Sequence, residues 1–282
     1  MKKEKEVKTV KLPVYTMEEV REEYLKKKNS EHKKEVIAVI NQKGGVGKST
    51  TAQAIGQGLI LKGFKVLFVD LDAQGNLSYS LNALQGGLNV LDILTHKADT
   101  KDAIQKTPEG DIIATSPQLS GADMLLTETG KEYKLKEALT PIMKDYDYII
   151  IDTPPALSIL TINALTVCTG AIIPAQADIY SLQGIGQLNQ TINAVKNYCN
   201  KDLTLKGIVL TRYSKRAVLS RDVAEMLQDT AKQLKTKVYK TAIRECIAIK
   251  EAQATKQSIF AYAPKSNASI DYKNLIEEVI KE

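Results

Sequence analysis

The sequence predicts an α/β fold: one domain built on a mostly parallel, doubly wound sheet flanked by helices. Three observations predict it. Short β-branched apolar runs, VIAVIN at residues 36–41 and KVLFVD at 65–70, lack the alternation of a half-exposed strand, as strands covered on both faces do. Helical patterns separate most such runs, the signature of βαβ crossovers. The 282 residues, 43% hydrophobic and 26% charged, suffice for one large core and exclude a disordered or fibrous chain.

Taken in order, residues 1–34 read as a charged N-terminal extension with a short helix over 16–28, where Thr16 offers a cap and Glu18 and Glu19 suit the first turn. It is too short for a winged DNA-binding domain, and MKKEKEVKTVKLP lacks the apolar stretch of a signal peptide. Residues 35–282 form the predicted domain. After the first strand a Gly-rich turn leads into a helix over 48–61, which Gly63 ends. Further strands are expected at 112–115, 148–152, 171–174, 205–211 and 237–242, and helices at 181–198, 218–234 and 269–280. The uncharged stretch 153–177 is long enough to span a bilayer. Pro154, Pro155, Asn163, Gly170 and Pro174 interrupt it, so it reads as a buried helix followed by a buried strand.

Composition narrows the function classes. With 12 Tyr, 3 Phe and no Trp, a groove of stacked Trp rings is excluded. Cys168, Cys199 and Cys246 form no CxxC pair, so neither a disulfide framework nor a zinc or iron–sulfur site is expected, and a reducing cytoplasm fits. The net charge of +6 is uneven: residues 1–35 hold 11 basic and 8 acidic side chains, 36–200 hold 12 and 15, and 201–282 hold 16 and 10. A basic C-terminal third beside an acidic middle suits a polyanionic partner, although a solvated lysine-rich surface would look the same.

In open parallel sheets, ligands bind where strands end. The first strand ends in Asn41-Gln42-Lys43-Gly44-Gly45-Val46-Gly47-Lys48-Ser49-Thr50, which flows directly into a helix. This is a phosphate-binding loop. Its glycines permit backbone angles that let successive N–H groups face one anion, and the helix N-terminus adds partial positive charge. Lys48 can reach the outer phosphates of a nucleotide, and the Ser49 hydroxyl can ligate Mg²⁺. The ordinary pattern has Gly where this chain has Gln42, and a second lysine, Lys43, follows at once. Two ammonium groups at one loop mouth repel each other unless both meet phosphate.

The second strand ends in Asp70-Leu71-Asp72-Ala73-Gln74-Gly75-Asn76. Alternation sends Asp70 and Asp72 to one face, where two carboxylates serve metal or water, or equally form a capping pair. The strand from Tyr148 ends in Asp152-Thr153-Pro154-Pro155, and an aspartate there can hold Mg²⁺ through water. Alone, it reads as a helix cap; behind a phosphate-binding loop, the metal role prevails.

These strings together resemble a known family. KGGVGKST is similar to the deviant Walker A motif of the ParA and MinD ATPases, DLDAQGN to their DxDxQGN segment, and DTPP to the ParA switch II segment. The likeness runs from about Glu35 to Glu282 and leaves residues 1–34 outside. It implies a P-loop ATPase using ATP and Mg²⁺ in a nucleotide-sandwich homodimer, with Lys43 reaching the nucleotide of the opposite subunit. Gly44, Gly45, Val46, Gly47 and Thr50 bind phosphates in that scheme, Lys43 and Lys48 neutralise developing charge, Ser49 and Asp152 hold the metal, and Asp72 orients the attacking water.

The resemblance extends to a base-side contact at Thr211 and a loop over the base at Pro264. The family's SEAP string reads IKEAQ here, at residues 249–253. It also implies non-specific binding of double-stranded DNA, through surface cations matching Arg216 and Arg244, with Lys215, Arg221, Lys237 and Lys240 nearby in sequence. A ParB-like centromere-binding partner that stimulates hydrolysis, and a cytoplasmic, nucleoid-associated protein, follow from the same likeness. Within the family, the small delta partition proteins of Gram-positive plasmids are the expected nearest group. The alternative is a MinD-like membrane- or protein-positioning ATPase. The final stretch, NLIEEVIKE, carries more acid than base, which anionic lipid repels, so no membrane partner is expected.

Overall fold

The computed structural model describes residues 33–214 and 218–281. The expected helix at 16–28, and Lys215 and Arg216, lie outside them. The strands are β1 (Glu35–Val39), β2 (Val66–Asp70), β3 (Ile104–Thr107), β4 (Gly110–Ile113), β5 (Tyr148–Asp152), β6 (Gly170–Gln176) and β7 (Thr204–Thr211). They form one sheet in the order β3-β4-β2-β5-β1-β6-β7, parallel except for the β3–β4 pair. The helices used below are α1 (Lys48–Leu61), α2 (Asn76–Ser80), α3 (Ile159–Val167), α4 (Ile179–Tyr198), α5 (Val218–Gln233), α6 (Ile247–Ala254), α7 (Ile259–Tyr262) and α8 (Asn267–Ile280).

Successive residues of each central strand enter opposite cores. Val36 and Ala38 of β1, Leu67 and Val69 of β2, and Ile149 and Ile151 of β5 join one hydrophobic cluster. Ile37 and Val39, Val66 and Phe68, and Tyr148 and Ile150 join the other. Both faces are therefore apolar, which is why these strands read as unbroken hydrophobic runs. Helix α1 fits closely against its neighbours at two glycines: a methyl on Gly56 would overlap the Phe68 ring, and one on Gly58 would overlap the Ile276 side chain of α8.

The uncharged stretch 153–177 is a buried helix, α3, followed by buried β6, as read from its prolines. Among the described residues no helix is long and apolar enough to cross a membrane. One expected strand is absent, and one strand stands where none is expected. Residues 237–242 do not form a strand: they run beside β7 with an isolated bridge from Val238 to Ile208. The Tyr239 ring lies across Gly207, and the Lys240 and Thr241 amides donate to the Glu278 carboxylate, both at 2.9 Å, instead of to a ladder. Conversely, β3 carries no apolar run. It is a partly exposed edge strand, paired through the Thr107-to-Gly110 turn, where Gly110 has φ 135°.

Candidate functional site

The loop between β1 and α1 is fixed at both ends. Asn41 donates from Nδ2 to the Pro174 carbonyl at 2.7 Å and accepts the Lys43 amide on Oδ1 at 2.9 Å. The Val46 carbonyl accepts the Thr211 hydroxyl at 2.7 Å, the Gly45 carbonyl accepts Gln176 Nε2 at 3.2 Å, and the Lys43 carbonyl accepts Lys48 Nζ at 3.1 Å. Three loop carbonyls are thus held by side-chain donors. Gly45 and Gly47 have φ 74° and 89°, a region that favours glycine, and Gly47 is the N-cap of α1. Amides at this helix start carry the partial positive charge that suits an anion.

Behind the loop, Asp70 and Asp152 face each other in register at the ends of β2 and β5, both fully buried. Their bonding is unequal. Asp70 accepts the Asp72 amide at 3.1 Å and the Ser78 amide and hydroxyl at 2.8 and 2.7 Å. Burial pushes its carboxyl up to about 6 against those bonds. For Asp152, neither carboxylate oxygen has a hydrogen-bond partner among the described residues. Burial, then the charge of Asp70, raises its pKa well above the usual range, while the nearby Ser49 hydroxyl and Lys48 ammonium oppose that shift. Lys48 is itself buried, which lowers its pKa, and Asp152 and Asp72 partly restore it. Asp72 Oδ1 accepts the Gln74 amide at 3.1 Å, and the residue lines the cleft.

A buried carboxylate with two open oxygens next to a hydroxyl is a poor cap and a fitting metal partner. Ser49 and Asp152 therefore fit Mg²⁺. The cleft in front of them has a volume of about 520 Å³ and is walled by Gly44, Gly45, Gly47 to Thr50 and Asp72 on one side. Gln74, Asn76, Tyr79, Ser80, Pro155, Arg212, Gln253 and Ala254 complete it. Its size falls in the ordinary range for a small-molecule site, roughly 300–1,000 Å³.

The structure thus brings the loop residues, Asp72 and Asp152 together. It sorts the others differently. Lys43 Nζ pairs with Asp178 of its own chain at 2.6 Å, and Asp178 also caps α4 by accepting the Ser181 amide at 2.9 Å. The Thr211 hydroxyl is engaged with the loop, and the cleft is lined instead by the next residue, Arg212, whose φ is 48°. Pro264 is exposed and is not among the lining residues. The Arg244 guanidinium grips Asp271 with two bonds, 2.8 and 2.6 Å, and its side chain remains 41% exposed. Asp178 and Arg212 follow strand ends, so the rule that ligands gather there could have found them. Gln253 carries no such signal.

A family model described as an AAA domain matches residues 34–205. The chain is 39% identical over 249 residues to the sporulation initiation inhibitor protein Soj of Bacillus subtilis (strain 168), covering 86% of this chain and 97% of that one. It is 37% identical over 252 residues to the chromosome partitioning protein ParA of Caulobacter vibrioides (strain NA1000 / CB15N), covering 87% and 93%. Among solved structures it resembles the cobyrinic acid a,c-diamide synthase from Mycobacterium smegmatis with bound ATP analog and magnesium. That likeness has a TM-score of 0.74 at 36% identity and covers 86% of this chain and 93% of the other.

Proposed function

The chain belongs to the ParA/Soj family of partition ATPases, and we propose that it hydrolyses ATP with Mg²⁺ to drive DNA segregation from the cytoplasm. The observation that carries this reading is the open, buried Asp152 carboxylate directly behind a fixed phosphate-binding loop. The bound ATP analog and magnesium of the M. smegmatis neighbour support the same ligands here. Residues 35–282 are the catalytic unit and residues 1–34 an extension to it.

Phosphoryl transfer needs positioning and neutralisation of charge more than covalent chemistry. The Gly44, Gly45, Val46 and Gly47 stretch and the Thr50 side chain hold the phosphates. Lys48, kept within the cleft by the Lys43 carbonyl, places its ammonium beside them. Ser49 and Asp152 would hold Mg²⁺, which when bound would neutralise phosphate charge. Asp72, anchored by its bond to the Gln74 amide, orients the attacking water. Lys43 leaves Asp178 to contact the nucleotide of a second copy, giving an ATP-dependent homodimer.

That dimer binds double-stranded DNA without sequence preference, through cations of the basic C-terminal third that include Lys215, Arg216 and Arg244. A ParB-like partner stimulates its turnover. The test is an electrophoretic shift on non-specific duplex DNA with ATP, with ADP and without nucleotide, beside a phosphate-release assay. ATP-dependent binding that weakens with salt, by a log–log slope of about −0.9 per phosphate neutralised, is expected. Absence of a shift from protein that binds ATP would overturn the DNA part, and absence of phosphate release with DNA and partner present would overturn the enzyme.

A further inference from the structure

Helix α6 is anchored in the core through Ala248 and Ala252, and its last turn reaches the mouth of the cleft. There Gln253 Nε2 donates to Thr50 Oγ1 at 2.9 Å. The chain just beyond is tied to the opposite wall. Lys256, with φ 53°, accepts Asn82 Nδ2 on its carbonyl at 3.2 Å, and its ammonium lies 4.3 Å from the centre of the Tyr79 ring. The end of α6 is therefore held from two sides, with Gln253 between them and directed at the first turn of α1.

The polarity of that bond matters. A threonine hydroxyl has one proton to give and lone pairs that accept. With the Gln253 amide occupying a lone pair, the proton of Thr50 is left for an acceptor in the cleft. A phosphate oxygen is such an acceptor, and a bond to an ionised group is roughly twice as strong as a neutral one. We propose that Gln253 is a positioning residue of the nucleotide site, fixing the Thr50 hydroxyl as a donor to a phosphate that ATP and ADP share. The proposal rests on the ATP-site reading and adds a residue from 203 positions away that the phosphate-loop pattern does not contain.

The experiment measures dissociation constants for Mg-ATP and ADP by calorimetry, with KM and kcat, on the full chain and four variants: Gln253→Ala, Gln253→Glu, Thr50→Val and the double variant Thr50→Val with Gln253→Ala. Gln253→Ala should weaken ATP and ADP alike, by about tenfold, with KM rising by the same factor while kcat changes less than about twofold. Gln253→Glu should weaken both further, because a carboxylate accepts the Thr50 proton and repels phosphate. In the Thr50→Val background, Gln253→Ala should cost nothing more. Wild-type affinity in Gln253→Glu, or an undiminished effect of Gln253→Ala in the Thr50→Val background, overturns the proposal. Thermal unfolding without nucleotide guards against misfolding; should Thr50→Val not fold, the order wild type, Ala, Glu at position 253 decides alone. A wild-type chain that binds neither nucleotide overturns the ATP-site reading itself.

Discussion

The two sides of the cleft are built differently. On the phosphate side, Asp70, Asp72 and Asp152 stand at or just beyond the ends of central strands whose residues pack into cores on both faces. Their positions follow from strand register. On the C-terminal side, a bond between residues far apart in sequence, Gln253 to Thr50, does the positioning at the cleft, and further such bonds hold the chain behind it: Tyr272 to Thr51 at 3.3 Å, Arg244 to Asp271 and Glu278 to the 240–241 amides. A wall of the first kind resists single substitutions in its shape but loses chemistry when a functional group goes. A wall of the second kind loses shape with each pair.

The largest effect should therefore come from the phosphate side. Asp72→Ala removes the carboxylate assigned to the water and leaves the loop intact, so kcat should fall by about 10²-fold or more with ATP binding retained. Single-turnover phosphate release checks this, and hydrolysis at the wild-type rate would unseat Asp72. Asp152→Asn sharpens the contrast with Asp70. Its raised pKa means that the folded chain holds the proton more tightly than the unfolded one, so the carboxyl favours folding below its ordinary value near 4 and costs stability as pH rises above it. Without metal, the Asn variant should gain stability relative to the wild type as pH rises from 5 to 7, while losing Mg²⁺-dependent ATP affinity. Denaturant melts at both pH values in chelator would show it; a gap that does not widen with pH contradicts the assignment.

The same difference explains what was legible in the sequence. Asp152 and the loop residues sit next to unbroken apolar runs, so a local pattern locates them. The edge strand β3 is partly exposed on both faces and offers no run to detect. Residues 237–242 have the composition of a strand, yet Gly207 invites the Tyr239 ring and Glu278 takes the amides, and neither partner is nearby in sequence. Thr211 stands at the expected strand end, but its hydroxyl turns to the loop, and the backbone turn after it brings Arg212 to the cleft. Gln253 is reached only by folding α6 back onto α1.

The contact between α1 and α8 offers the next test, at a moderate scale. Because a methyl on Gly58 would overlap Ile276, Gly58→Ala should destabilise by about 2 kcal/mol despite the better helix propensity of alanine. Pairing it with Ile276→Val should recover part of the loss, measured as a double-mutant cycle in urea. Additive losses would mean that the helices move apart instead of repacking.

The smallest effect on stability concerns Lys43 and Asp178. The two side chains are 31% and 29% exposed, so loss of the pair should cost less than about 1 kcal/mol. Its consequence for assembly should be larger than its worth in folding. In the proposed dimer Lys43 must leave Asp178 for the phosphate of a second copy, and whatever holds it at home opposes association. Asp178→Asn keeps a side chain that can still cap α4, yet removes the charge that holds the ammonium. The ATP-dependent dimer should then form at a several-fold lower protein concentration by sedimentation, with melting temperature nearly unchanged. An unchanged or weakened dimer would mean that Asp178 orients Lys43 for the partner's nucleotide instead of restraining it.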